Sequence, residues 1–259
     1  MAIAKVAIIG SGVMGGGIAA HVANAGIPVL LLDIVPPGAA NRNTVVEKAI
    51  ERLLKTDPAP FMHPGNARLV TPGNLEDDLA TLGECDWIVE AVLEKLEVKH
   101  ATYEKIEKAR KDGSIVSSNT STIPLRDLVG SMPERFQRDF LITHFFNPPR
   151  YMRLLEIVRG PRTRGEAVAA IEEFCDLRLG KGVIHAKDTP GFIANRIGGM
   201  WLQAAVGAAM DLGLTVEEAD AIMGRPFGFP KTGVFGLLDL VGIDLMPHVA
   251  ASMRRTLPA

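Results

Sequence analysis

The run Lys5-VAIIGSGVMG sets Gly10, Gly12 and Gly15 directly after an apolar strand, residues 6–9, and directly before a helix-like segment. A strand delivered into such a turn needs Gly10 to relieve crowding, Gly12 to leave room for a pyrophosphate, and Gly15 to let the helix pack on the strand. The N–H groups at the helix N-terminus, around Val13 and Met14, then face the anion. A second apolar stretch, 28–32, ends in Asp33. A carboxylate there accepts the ribose hydroxyls of an adenosine and repels a 2′-phosphate, which selects NAD over NADP. The same glycines also suit a plain turn in another α/β domain, and Asp33 is what argues against that.

Behind this turn the pattern alternates. It predicts strands over 86–92, 114–118, 140–145, 154–158 and 182–186, with helices over 39–55, 96–111 and 165–179. Such alternation builds a doubly wound sheet, parallel with right-handed crossovers. The stretch through Pro58, Pro60, Pro64 and Pro72 reads as a proline-rich connection. From Thr189 the alternation stops, and helices are expected over 191–212, 216–223, 233–241 and 244–255. The fold class is therefore α/β: a Rossmann-type NAD-binding domain over 1–188 followed by an all-helical C-terminal domain over 189–259. Thr189-Pro190-Gly191 is the punctuation between them.

Composition narrows the function classes. A net charge of −2, from 28 basic and 30 acidic residues, comes with no basic cluster, so neither nucleic acid nor an anionic membrane is an expected partner. Cys85 and Cys175 are far apart and lack metal-ligand spacing, which suits a reducing compartment and two core thiols, with no metal. Met1 leads almost at once into the first strand, so no leader peptide is expected and the chain reads as cytoplasmic. The apolar region 200–210 is too short to span a bilayer and reads as a buried helix.

Open α/β sheets bind ligands outside the carboxyl ends of their strands, where the first domain is expected to meet the second. Ser121 follows a strand in SNTS, His144 lies in ITHFFNPP, Glu156 in LLEIV and Asn195 in DTPGFIANR. Imidazole suits a base that takes the hydroxyl proton of a secondary alcohol, and His144 is the one of six histidines centred in a strand ending at this face. Alternation along 154–158 brings Glu156 within reach of the ring, to orient it and offset the charge it gains. Each residue also has a plainer reading: a core histidine, a solvated glutamate, an N-cap at Ser121 for a helix near Ile123-Pro124, a helix-surface Asn195.

The segments IVEAV-x-E, SNTST, HFFNPP, LLEIV, DTPGFIANR and FGLLDLVGID, in this order behind the glycine turn, resemble the 3-hydroxyacyl-CoA dehydrogenase family over nearly the whole chain. The resemblance implies NAD-dependent oxidation of an (S)-3-hydroxyacyl-CoA to the 3-oxoacyl-CoA in fatty acid β-oxidation. It implies His144 as general base, Glu156 as its partner, and Ser121 and Asn195 at the substrate's C3 oxygen. Glu94, Lys99 and Asn147, with Ser121, fall on positions near the nicotinamide ribose, and the helical domain is implied to form a homodimer. Two features depart from the short family members. The stretch after Asp33 lacks the usual serine and lysine that contact CoA, leaving Lys48 as the candidate contact. Members also continue beyond the position of Ala259, so the chain reads as truncated, and TDPAPFMHP is similar to longer bacterial proteins fused to an enoyl-CoA hydratase-type region. Two other readings stay open: a catalytically silent NAD-binding protein of this fold, and a short-chain 3-hydroxyacid dehydrogenase that uses a helix lysine where this chain has Asn195.

Overall fold

In the computed structural model, residues 2–229 and 231–243 are described; the chain forms two compact units, residues 1–188 and 189–259. The expected helix over 244–255 lies outside the described residues.

One eight-stranded sheet carries the first unit. Its strands are β1 (Val6–Ile9), β2 (Val29–Asp33), β3 (Val70–Asn74), β4 (Trp87–Glu90), β5 (Ile115–Ser118), β6 (Phe140–Phe145), β7 (Leu154–Arg159) and β8 (Gly182–Ala186), laid side by side in the order β3-β2-β1-β4-β5-β6-β7-β8. Helices α1 (Val13–Asn24), α2 (Thr44–Lys55), α3 (Leu96–Ala109), α4 (Leu125–Val129), α5 (Glu134–Asp139) and α6 (Gly165–Leu177) link them. The order reverses between β1 and β4, which opens a crevice at the carboxyl ends there.

Because strand side chains alternate between faces, the two faces of the sheet carry separate cores. Val6, Ile8, Val29, Leu31, Trp87, Val89, Leu141 and Phe145 face Ile18 and Val22 of α1 and Ile171 and Phe174 of α6. On the other face Phe140 stacks with Phe136 at 5.6 Å and meets Tyr103 of α3 edge-on at 5.4 Å. That parity puts Glu90, His144 and Glu156 on the α3 side, opposite α1.

Three expectations need correction. The proline-rich connection contains β3, an edge strand that tolerates Pro72 because an edge can leave one face of its ladder unbonded. The sheet is mixed, since β7 runs antiparallel to β6 and β8 pairs parallel to β7. The helix after β2 begins at Thr44; residues 39–43 precede it as turns and irregular chain.

The second unit holds α7 (Ala194–Asp211), α8 (Val216–Ile222) and α9 (Phe235–Val241). A capping box starts α8: Thr215 Oγ1 accepts from Glu218 N, and Glu218 Oε2 accepts from Thr215 N. Asp220 of α8 accepts the N–H groups of Phe235 and Gly236 at 2.6 and 2.9 Å, fixing the start of α9. Trp201 stacks on Phe229 at 4.6 Å. The expected burial of 200–210 does not hold. Only Ala209 of α7 is buried, while Met200 and Met210 are exposed. Much of this run's apolar character comes from alanine and glycine, which have little surface to bury.

On α1, His21 is buried, with the Leu179 backbone beside its ring as the one group that favours its charged form. Burial, aided by the nearby charges of Lys181 and Arg150, lowers its pKa from 6.5 to about 4. The unfolded chain takes up this proton near pH 6.5 and the folded chain only near pH 4. The stability this group contributes is therefore complete above pH 6.5 and drains away as pH falls towards 4, by about 3 kcal/mol. Urea unfolding at pH 7 and 4.5 should show a smaller acid loss for His21→Leu than for the wild type; equal losses would contradict the assignment.

Candidate active site

The carboxyl ends of β4, β5 and β6 lie side by side, and β7 enters beside them from the opposite direction. Antiparallel register pairs His144 with Glu156, and the ring Nδ1 stands 2.7 Å from Glu156 Oε2. Both side chains are buried. A carboxylate only accepts, so Nδ1 carries the ring proton and Nε2 presents its lone pair. Nε2 lies 3.1 Å from Ser121 Oγ. The result is a line of carboxylate, imidazole and hydroxyl, in which the ring's Nε2 faces the turn after β5. Phe146 covers the ring at 4.4 Å, and Asn119 Oδ1 accepts the Phe145 N–H at 2.9 Å, tying the end of β6 to that turn.

Glu94 grips the same turn. Its Oε1 accepts from the Thr120 hydroxyl and from the Ser121 N–H at 3.1 Å, while Oε2 pairs with Lys99 at 3.1 Å. Burial opposes its charge, but Lys99, the Thr120 hydroxyl and the Ser121 N–H outweigh it and hold the carboxyl below the usual range. Lys99 is itself 1% exposed and stands 2.7 Å from Glu90, which is fully buried. Glu90 also accepts from Val92 N, the Tyr103 hydroxyl and Ser118 Oγ. Burial, with the Glu90 charge beside it, raises the Tyr103 phenol well above its ordinary range, so it remains a donor.

The Ser121 hydroxyl thus meets His144 and does not cap a helix. Helix α4 starts behind Pro124 without a side-chain cap, and Thr120 Oγ1 is the acceptor for Ile123 N. Glu90, Tyr103, Asn119 and Thr120 were not singled out by sequence reasoning. Glu90 left a trace, as the one charge inside the apolar run WIVEAV.

At the other side of the crevice, Gly10 adopts φ +98°, which only glycine takes readily, and a Cβ on Gly15 would stand 1.8 Å from the Gly10 carbonyl oxygen. Gly12 has open space where its Cβ would be, and α1 begins there with no side-chain cap. Val13 is exposed and Met14 half-buried at this helix start. Asp33 Oδ2 accepts from both the N–H and the hydroxyl of Ser11 at 2.6 Å, which pins the carboxylate to the glycine turn. Arg42 is ion-paired with Glu76 and Asp77, both at 2.6 Å. An uncapped helix N-terminus, a glycine facing open space and an acid ending the second strand fit a dinucleotide.

The other predicted residues fall on three different elements. Asn147 is exposed on the loop after β6. Lys48 is exposed on α2 and lines an open depression of about 520 Å³ with Glu51, Arg52, Lys55 and Thr56. Asn195 lies in the first turn of α7, half-buried in the second unit.

A carboxylate-backed imidazole at the strand ends, with a dinucleotide cradle on the same sheet, defines a nicotinamide-dependent dehydrogenase by class. The sequence matches "3-hydroxyacyl-CoA dehydrogenase, NAD binding domain" over residues 5–189 and "3-hydroxyacyl-CoA dehydrogenase, C-terminal domain" over 191–259. It is 47% identical over 258 residues to a probable 3-hydroxyacyl-CoA dehydrogenase of Deinococcus radiodurans, covering 100% of this chain and 75% of that one. A putative fatty acid oxidation complex trifunctional enzyme of Rickettsia felis is 43% identical over 99% of this chain, which spans only 36% of that relative. A solved (S)-3-hydroxybutyryl-CoA dehydrogenase from Ralstonia eutropha superposes with a TM-score of 0.80 at 28% identity, over 98% of this chain and 88% of that one. The chain belongs to the 3-hydroxyacyl-CoA dehydrogenase family, and NAD is its cofactor.

Burial of Lys99 against Glu90 makes a stability test. Lys99→Met leaves the Glu90 carboxylate buried without its cation, a change that costs about 3–5 kcal/mol. Guanidinium unfolding should show that loss, and the double change Lys99→Met with Glu90→Gln should recover part of it.

Proposed function

We propose that this chain oxidises an (S)-3-hydroxyacyl-CoA to the 3-oxoacyl-CoA with His144 as the general base. The observation that carries this reading is the line Ser121, His144, Glu156, at 3.1 and 2.7 Å, beside the dinucleotide cradle. Nε2 of His144 takes the proton of the C3 hydroxyl. Glu156 keeps Nδ1–H aimed and balances the positive charge the ring acquires. The Ser121 hydroxyl, next to Nε2, holds the C3 oxygen as its proton leaves, and the family pattern DTPGFIANR gives Asn195 the same oxygen. Bound NAD supplies the hydride acceptor.

On the cofactor side, the backbone of Gly10, Gly12, Val13, Met14 and Gly15 receives the pyrophosphate and Asp33 the adenosine ribose. Glu94, Lys99 and Asn147, with Ser121, lie towards the nicotinamide ribose. A 2′-phosphate would meet the Asp33 carboxylate, and the Arg42 guanidinium is already held by Glu76 and Asp77. Lys48, in its open depression, is the contact for a CoA phosphate. Residues 1–188 act as the NAD-binding domain, and residues 189–259 close over substrate and supply a homodimer interface. The Rickettsia relative supports a longer native protein in which this chain is joined to a hydratase-type region. The setting is the cytoplasm; no helix among the described residues is long and apolar enough to cross a membrane.

Two variants test the reading. A hydrogen bond to a charged group contributes about 1.5–3 kcal/mol, so Asp33→Ala should weaken NADH binding by roughly ten- to a hundredfold and narrow its margin over NADPH. Fluorescence titration of both cofactors measures this, and tighter NADPH than NADH binding by the wild type would refute the ribose assignment. His144→Gln should lose at least about a hundredfold in kcat for acetoacetyl-CoA reduction, the typical worth of a general acid or base, while NADH affinity stays within error. A variant that keeps most of its turnover removes His144 from the chemistry.

A further inference from the structure

The loop joining β6 to β7, residues 146–153, is held by groups to which the reaction assigns no task. Lys181, just before β8, is 2% exposed. Its ammonium donates to the Pro149 carbonyl and, at 2.8 Å, to that of Met152. It also lies 5.6 Å from the ring centroid of Phe145, the neighbour of His144 in sequence. No carboxylate among the described residues pairs with Lys181. The titratable groups that face it are Cys175 of α6, His21 of α1 and, through His21, Arg150 of the loop itself. Burial lowers its pKa from 10.5 to about 8.

The same loop is seated from two other directions. Pro149 packs on α1 where Gly17 has no side chain: a Cβ there would stand 2.9 Å from Pro149 Cδ. Arg150 Nη1 donates to the Ala59 carbonyl at 2.6 Å, and the Tyr151 hydroxyl donates to the same oxygen at 3.0 Å. An apolar side chain in place of Lys181 would take the donor from two carbonyls, one of them fully enclosed with it. The geometry points to Lys181 as a positioning residue, a clamp on Pro149 and Met152 that holds the chain leaving His144, with Asn147 on it, against α1 and so in register with the glycine turn at that helix's start. For its effect on cofactor binding this inference rests on the function proposed above.

Hydrogen exchange and NADH titration decide it, using wild type, Lys181→Met and Gly17→Ala, the last of which lifts the same loop from the α1 side. Exchange over 146–153 should rise by roughly tenfold in both variants while β1 and β4 stay protected, and the NADH dissociation constant should rise by about the same factor. Unchanged exchange and NADH affinity in both variants would overturn the clamp. So would a loss of protection throughout the sheet, which would reduce Lys181 to a packing role. If the wild type takes up no NADH the cofactor reading falls, and exchange over 146–153 still decides whether Lys181 holds the loop.

Discussion

The reversal of β7 against β6 is the constraint on which the site depends. Every other neighbouring pair in the sheet is parallel. A parallel β7 would need a crossover between the two strands, and the chain would return to this edge from the far end of the sheet. The short loop lets Glu156 come back directly opposite His144. Strand side chains alternate, so a slip of one residue would turn Glu156 towards the α1 face and bury its charge among Leu155 and Ile157's partners. The bond from Phe145 N to Asn119, together with the anchors on residues 149–152, keeps that slip from happening.

A second layer of charge supports this pair. Glu90, Lys99 and Glu94 form a chain that starts fully buried beneath β4 and ends at the Ser121 turn. Ion pairs of this kind differ from exposed ones such as Arg42 with Glu76, where solvent screening leaves little net stabilisation. In the interior each charge depends on its partner, so the chain behaves as a unit: moving Lys99 unsettles Glu90, and moving Glu94 releases the Ser121 N–H and the Thr120 hydroxyl in the turn that faces the imidazole. The site is stiff because its charges cannot relax separately.

What could be read from the sequence was what is encoded locally. The glycine turn needs only β1, α1 and the residue ending β2, all within one βαβ unit, and its pattern states each requirement in place. Periodicity likewise marked the strands buried on both faces. Strand β3 was hidden because Pro72 argues against a strand unless the strand is known to lie at an edge, and edges are a property of the whole sheet. The direction of β7 was hidden for a related reason: the loop before it is held by Lys181 and by the Ala59 carbonyl, both from distant parts of the chain. Ser121 could be placed near the chemistry by motif, but its hydroxyl had equal local reason to cap a helix. Only the approach of β6 decides between these partners. The run 200–210 misled because hydrophobicity counts residues, whereas burial depends on what lies opposite them.

Each unit contains one of the chain's two tryptophans. Trp87 is sealed in the sheet between Phe145 and Phe174, with its indole N–H bonded to Ser117. Trp201 sits in a helical setting against Phe229. Indole emission responds to local polarity, so the molecule carries two optical reporters, one in the sheet with its ring against the strand that bears the imidazole and one in the helical unit. Replacing either with phenylalanine leaves a single indole, and events in the nucleotide-binding sheet can then be timed separately from rearrangements of the helices.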